Sequence, residues 1–118
     1  MLIEVKNKAI AVGSRDDLHI LHSNRCACYL QVGDILKALE DANSCVRLNP
    51  SWCKGYNRKG ACLLRLSLRD EAILSYEKAL EADPKSADAR VARALAHLAV
   101  ALGRGDGLEA RDLGLHVG

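Results

Sequence analysis

The chain has 118 residues, 49% of them apolar and 27% charged, which is the balance of one ordinary folded domain rather than a disordered or fibrous chain. Its formal net charge of +2, with cations spread among nearly as many carboxylates, argues against a nucleic-acid-binding surface. No apolar run is long enough to span a bilayer, and one Trp, three Tyr and no Phe leave the core to closely approached helices rich in Ala and Leu, an all-α chain.

At the N-terminus Glu4, Lys6 and Lys8 interrupt the first apolar residues, so no secretory signal is read there and a cytoplasmic location, or also a nuclear one, is expected. Apolar spacing then predicts helices at about 19–32, 35–48, 52–66, 69–82 and 86–102. The first pair turns at Gly33-Asp34, where Gly suits a left-handed cap and Asp a helix start; Ser67-Leu68-Arg69-Asp70 does the same work for the second pair. Pro50 and Pro84 stop the second helices, and Ser51 and Ser86 can cap those that follow. Residues 86–102, with Ala89, Val91, Ala92, Ala94, Leu95, Leu98 and Leu102, read as an amphipathic helix covering the last hairpin. The tail 103–118 loses periodicity and is expected to be loose.

Little in this pattern suggests chemistry. Cys26, Cys28, Cys45, Cys53 and Cys62 are odd in number and show no paired CxxC spacing, so they are expected as free thiols packed like small apolar residues. His19, His22 and Cys26 lie at helical spacing, but one straight helix cannot wrap a tetrahedral ion, and no metal or other cofactor is expected. Neither a phosphate-binding Gly loop nor a nucleophile paired with a His by any signature is present, so an enzyme is not expected. Trp52, at a helix start, is read as packing between units rather than stacking on a ligand.

The helices repeat. Pro50 and Pro84 are 34 residues apart, each closing a similar phrase, Ala38-Leu39-Glu40-Asp41-Ala42 through Pro50 and Ala72-Ile73-Leu74-Ser75-Tyr76 through Pro84. The same shift pairs Cys26 with Gly60 and Cys45 with Ala79, small residues where helices meet, and pairs Asn24 with Arg58. Lys54 and Arg58, four apart, rise from one helix face, and stacking brings Asn24 alongside them. A compact cation, a planar fork and a neutral amide together suit carboxylates, such as the two at the end of a peptide that finishes in an acidic residue.

Period, small residues and prolines match the tetratricopeptide pattern. More narrowly, Ser23-Asn24-Arg25-x-Ala27-x-Tyr29, Lys37-Ala38-x-Glu40-Asp41-Ala42 and Leu48-x-Pro50-x-Trp52-x-Lys54-Gly55-Tyr56-x-Arg58-Lys59-Gly60 resemble co-chaperone domains of that kind, in particular the Hsp-organising, or stress-inducible phosphoprotein, family, over roughly residues 5–85. The resemblance implies a right-handed α-solenoid of helical hairpins: a tetratricopeptide domain over 1–102, made of a degenerate first repeat 1–18, full repeats 19–52 and 53–86, and a capping helix 87–102. It also implies a carboxylate clamp for the Glu-Glu-Val-Asp tail of heat shock protein 70 or heat shock protein 90, with Asn24, Lys54 and Arg58 on the last residue and Ala27 on the groove floor.

Two departures qualify that expectation. Asn7 fits the first-helix Asn of such clamps, but Ile3 stands where a Lys is expected and Lys6 where a small residue is. About 14 residues of a second helix are missing between Asp17 and the next unit, which removes nearly four turns and makes the first repeat incomplete. The side of helix 19–32 left bare calls for residues 2–12 to fold back, for a homodimer, or for another partner. The expected function is a co-chaperone adaptor with a partial clamp, binding neither nucleic acid nor membrane; the alternative is a scaffold that self-associates or takes a partner helix without a clamp.

Overall fold

The computed structural model describes residues 17–104, which form five helices: α1 (Leu18–Val32), α2 (Ile35–Leu48), α3 (Cys53–Arg65), α4 (Arg69–Ala82) and α5 (Ala87–Arg104). The all-α expectation is met, and every boundary lies within two residues of the one read from the pattern. Among the described residues no helix is long and apolar enough to cross a membrane. The expected repeat 1–18 and tail 103–118 lie mostly outside the described residues.

Two turns built alike make the hairpins. After α1, Gly33 sits at φ 84°, and its N–H and that of Asp34 reach back to the carbonyls of Leu30 and Tyr29. This double bond closes the helix through a left-handed residue, a conformation glycine adopts freely. Ser67, 34 residues on, takes φ 62° in the same slot, with Ser67 N–H to Leu64 and Leu68 N–H to Leu63. The helix starts differ more from expectation. Asp34 accepts the Lys37 amide and Ser86 accepts the Ala89 amide. Ser51 instead donates to Asn49 Oδ1, and Trp52 precedes α3 without a side-chain cap. Asp70 lies inside α4, where with Glu71 it supplies negative charge to the first turn.

Packing is built from small residues. Cys26, Ala38, Ala42 and Cys62 form one core cluster across α1, α2 and α3; Leu63, Ala72, Ile73, Tyr76 and Ala96 form a second across α3, α4 and α5. Gly60 is required here because a Cβ at that position would come within 2.6–2.9 Å of the Tyr76 ring. The five cysteines are free, four of them buried, and Cys26 and Cys62 sit 3.6 Å apart, sulfur to sulfur. The hydrogen bond with Cys62, and burial after it, push the Cys26 thiol well above its ordinary value. Trp52 meets His19 edge-on at 4.8 Å, so it packs between units.

One charge is buried in this frame. Asp41 on α2 is 2% exposed and takes both prongs of Arg25 from α1, at 2.8 and 2.6 Å, with His22 Nδ1 at 2.9 Å. The paired guanidinium is held in its charged form chiefly by the hydrogen bond to Asp41. His19, His22 and Cys26 are thus engaged by three different partners, Trp52, Asp41 and Cys62.

The last helix buries only the small residues of the face expected of it. Ala89 and Ala96 are buried, Ala92 and Val100 pack against the second core, and Val91, Leu95 and Leu98 are 59%, 56% and 54% exposed. Alanine allows α5 to lie close on α4, and the bulkier residues are left outside. Leu36 of α2 is likewise exposed.

Candidate functional site

Helices α1, α3 and α5 open successive units: α1 touches α3, and α3 touches α5. The period of 34 therefore lines up their residues in rows along one side of the array: Ile20, Lys54 and Asp88; Ser23, Asn57 and Val91; Asn24, Arg58 and Ala92. Lys54 and Arg58 come together in a cavity of about 260 Å³, which they line with Asn57 and Ala61 of α3, Tyr76 of α4, and Asp88 and Ala92 of α5. A hollow of about 440 Å³ is also lined by Lys54, Asn57 and Asp88 and extends to Trp52, Asp83 and Ser86.

Arg58 is held in place. Its Nε donates to Ser23 Oγ of α1 at 3.2 Å, and Ser23 is fully buried, so the guanidinium is anchored across the boundary between units. No other hydrogen bond of Arg58 is found among the described residues, so its two Nη groups remain for a ligand. Lys54 is exposed at the rim. A pinned planar fork beside an exposed point charge is an arrangement that holds a carboxylate.

The other sequence-expected residues are spread more widely. Asn24 and Ala27 are half-buried on α1, next to Ser23 and one turn beyond it, and neither lines the two cavities. Asn7 lies outside the described residues. Asn57 and Asp88 were not singled out by sequence reasoning, although the period carries Lys54 onto Asp88, a reversal of charge in the same slot. Asn57 Nδ2 reaches Cys53 Sγ at 3.7 Å, while its buried Oδ1 has no hydrogen-bond partner.

With this geometry in view, the likenesses to known proteins are informative. Residues 54–86 match the pattern of the tetratricopeptide repeat. Over 88 residues, 75% of this chain, the sequence is 50% identical to heat shock protein STI1 of Saccharomyces cerevisiae, but the chain spans about 15% of that relative's length. The fold is similar to the first tetratricopeptide domain of Spaghetti (RPAP3) bound to the HSP90 peptide SRMEEVD, with TM-score 0.67 and 29% identity, covering 85% of this chain and 90% of that one. The second such domain of human RPAP3, in complex with the HSP70 peptide SGPTIEEVD, shares the fold at TM-score 0.73 and 24% identity, over 80% of this chain and 78% of that one.

Proposed function

We propose that this tetratricopeptide-repeat chain is a non-catalytic co-chaperone adaptor that binds the acidic C-terminal tail of heat shock protein 70 or heat shock protein 90 through a partial carboxylate clamp. The observation that carries the reading is the pair Lys54 and Arg58 in one cavity, with Arg58 anchored to Ser23. A free C-terminus ending in Asp brings two carboxylates to that pair, and the Asn24 amide adds a directional donor from α1. Ala27 is assigned to the groove floor, and Asn7 completes the clamp if the N-terminal segment reaches it. With Ile3 in the place of a lysine the clamp lacks one cation, so binding weaker than that of a complete clamp is expected. The reading places the chain in the cytoplasm. The 50% identity to STI1 and the peptide-bound neighbour at 29% identity support it.

The test is calorimetric titration with SRMEEVD as the free acid and as its C-terminal amide. The acid should bind at least about tenfold more tightly, since the amide loses a charge-assisted contact. Arg58→Ala should weaken the acid by about 1.5–3 kcal/mol. Equal affinities, or no binding of either at millimolar concentration, refute the clamp.

The alternative, association through an apolar face, has its own support in the exposed Val91, Leu95 and Leu98 of α5. Sedimentation over a concentration series separates the two readings. A monomer throughout refutes self-association.

A further inference from the structure

Resting on the clamp reading, we infer that Asp88 is a specificity residue: it selects acidic-tailed peptides carrying a cation, arginine above all, about five residues before the terminal acid.

The argument starts from direction. A terminal carboxylate held by Asn24 of α1 and by Lys54 and Arg58 of α3 sits at the α1–α3 seam. Both cavities lined by Lys54 lie on its α5 side, so the upstream residues of a bound peptide run toward α5. The character of the groove changes along that path. The slot occupied by Ile20 on α1 and Lys54 on α3 is occupied by Asp88 on α5, and Asp83 joins Asp88 in the larger hollow. Asp88 forms no ion pair with either cation among the described residues. Asn57, whose buried Oδ1 has no hydrogen-bond partner, lines the same two cavities. A guanidinium there can pair with the Asp88 carboxylate, a charge-assisted contact that a neutral side chain cannot make.

The distances agree. Packed helices lie about 8–10 Å apart, so from the α1–α3 seam to α5 is roughly 12–15 Å. An extended peptide rises about 3.3–3.6 Å per residue, so four or five residues cover that span. In SRMEEVD the arginine stands five residues before the terminal aspartate. SGPTIEEVD carries no cation.

The experiment titrates the full chain, wild type and Asp88→Asn, with SRMEEVD, with SAMEEVD and SEMEEVD as its arginine-replaced versions, and with SGPTIEEVD. Wild-type protein should bind the first three in the order Arg, Ala, Glu, with about threefold between Arg and Ala, as expected of an exposed ion pair. SGPTIEEVD should fall with the alanine peptide. Asp88→Asn should bring Arg and Ala to near equality. The peptide series in wild-type protein is read independently of how the variant folds. If the peptides bind wild type without that order, or Asp88→Asn keeps it, the assignment of Asp88 is overturned and the clamp stands. If none of the four binds, the clamp reading fails and this inference falls with it.

Discussion

Replacing Gly60 by alanine sets two effects of opposite sign against each other. In a helix interior alanine is favoured over glycine by about 1 kcal/mol, so on propensity alone Gly60→Ala should stabilise α3. The added Cβ, however, would stand 2.6, 2.7 and 2.9 Å from three ring carbons of Tyr76. That ring is 4% exposed and packed among Leu63, Ala72, Ile73 and Ala96, so it has no free space to yield into. Overpacking of this kind costs about 1–3 kcal/mol, and forcing a rigid ring or a helix axis to move belongs at the upper end. The net expectation is a loss of about 1–2 kcal/mol, or roughly 5–10 °C in Tm for a domain of this size. Thermal unfolding followed by far-UV circular dichroism measures it. A Gly60→Ala protein as stable as wild type would refute the reasoning. In a Tyr76→Leu background the same change should turn neutral or stabilising, which assigns the cost to the ring.

Asp41→Asn should cost about 2–3 kcal/mol, below the usual 3–5 for breaking a buried pair because Arg25 is 22% exposed; chemical denaturation giving less than about 1 kcal/mol would show the pair to be solvated. Burial pushes the Cys45 thiol from 9.0 up to about 11, so the folded state holds this proton more firmly than the unfolded chain. The corresponding stability is complete below about pH 9 and is lost as the pH rises toward 11, a fall of about 2–3 kcal/mol for two pKa units; Cys45→Ala should flatten that alkaline slope in denaturation curves. Ser67→Gly should raise stability by about 0.5–1 kcal/mol, because Ser67 holds a left-handed conformation that glycine adopts without strain, and an unchanged Tm would contradict this.

The backbone was legible because its signals are periodic. Pro50 and Pro84, the small residues at Cys26 and Gly60, and the turn at Gly33 recur at one spacing, and such a spacing specifies hairpins without knowledge of the third dimension. Which face each helix buries was less legible. On α5 both faces are apolar, and weighting residues by size picks Val91, Leu95 and Leu98, whereas close approach of helices selects Ala89, Ala92 and Ala96. Asp41 stands next to Glu40 in the sequence with no local mark of burial, and its partners Arg25 and His22 arrive from another helix. In the site, Lys54 and Arg58 are recognisable because four residues make one helical turn. Asn57 shares their helix, three residues from Lys54, and Asp88 joins them through the stacking of α5 on the preceding hairpin.

The groove is written across three helices: α1 meets α3 less extensively than it meets α2, and α3 meets α5 less extensively than it meets α4. Cohesion is therefore greatest in α1 with α2 and in α3 with α4, while α2 on α3 and α4 on α5 form the joints between units. On the proposed reading, a peptide lying over α1, α3 and α5 would act as a tie-beam across those joints. Its binding should stiffen the array end to end and raise the unfolding temperature in proportion to the logarithm of peptide concentration, with protection from amide exchange growing first where the units abut rather than within the hairpins.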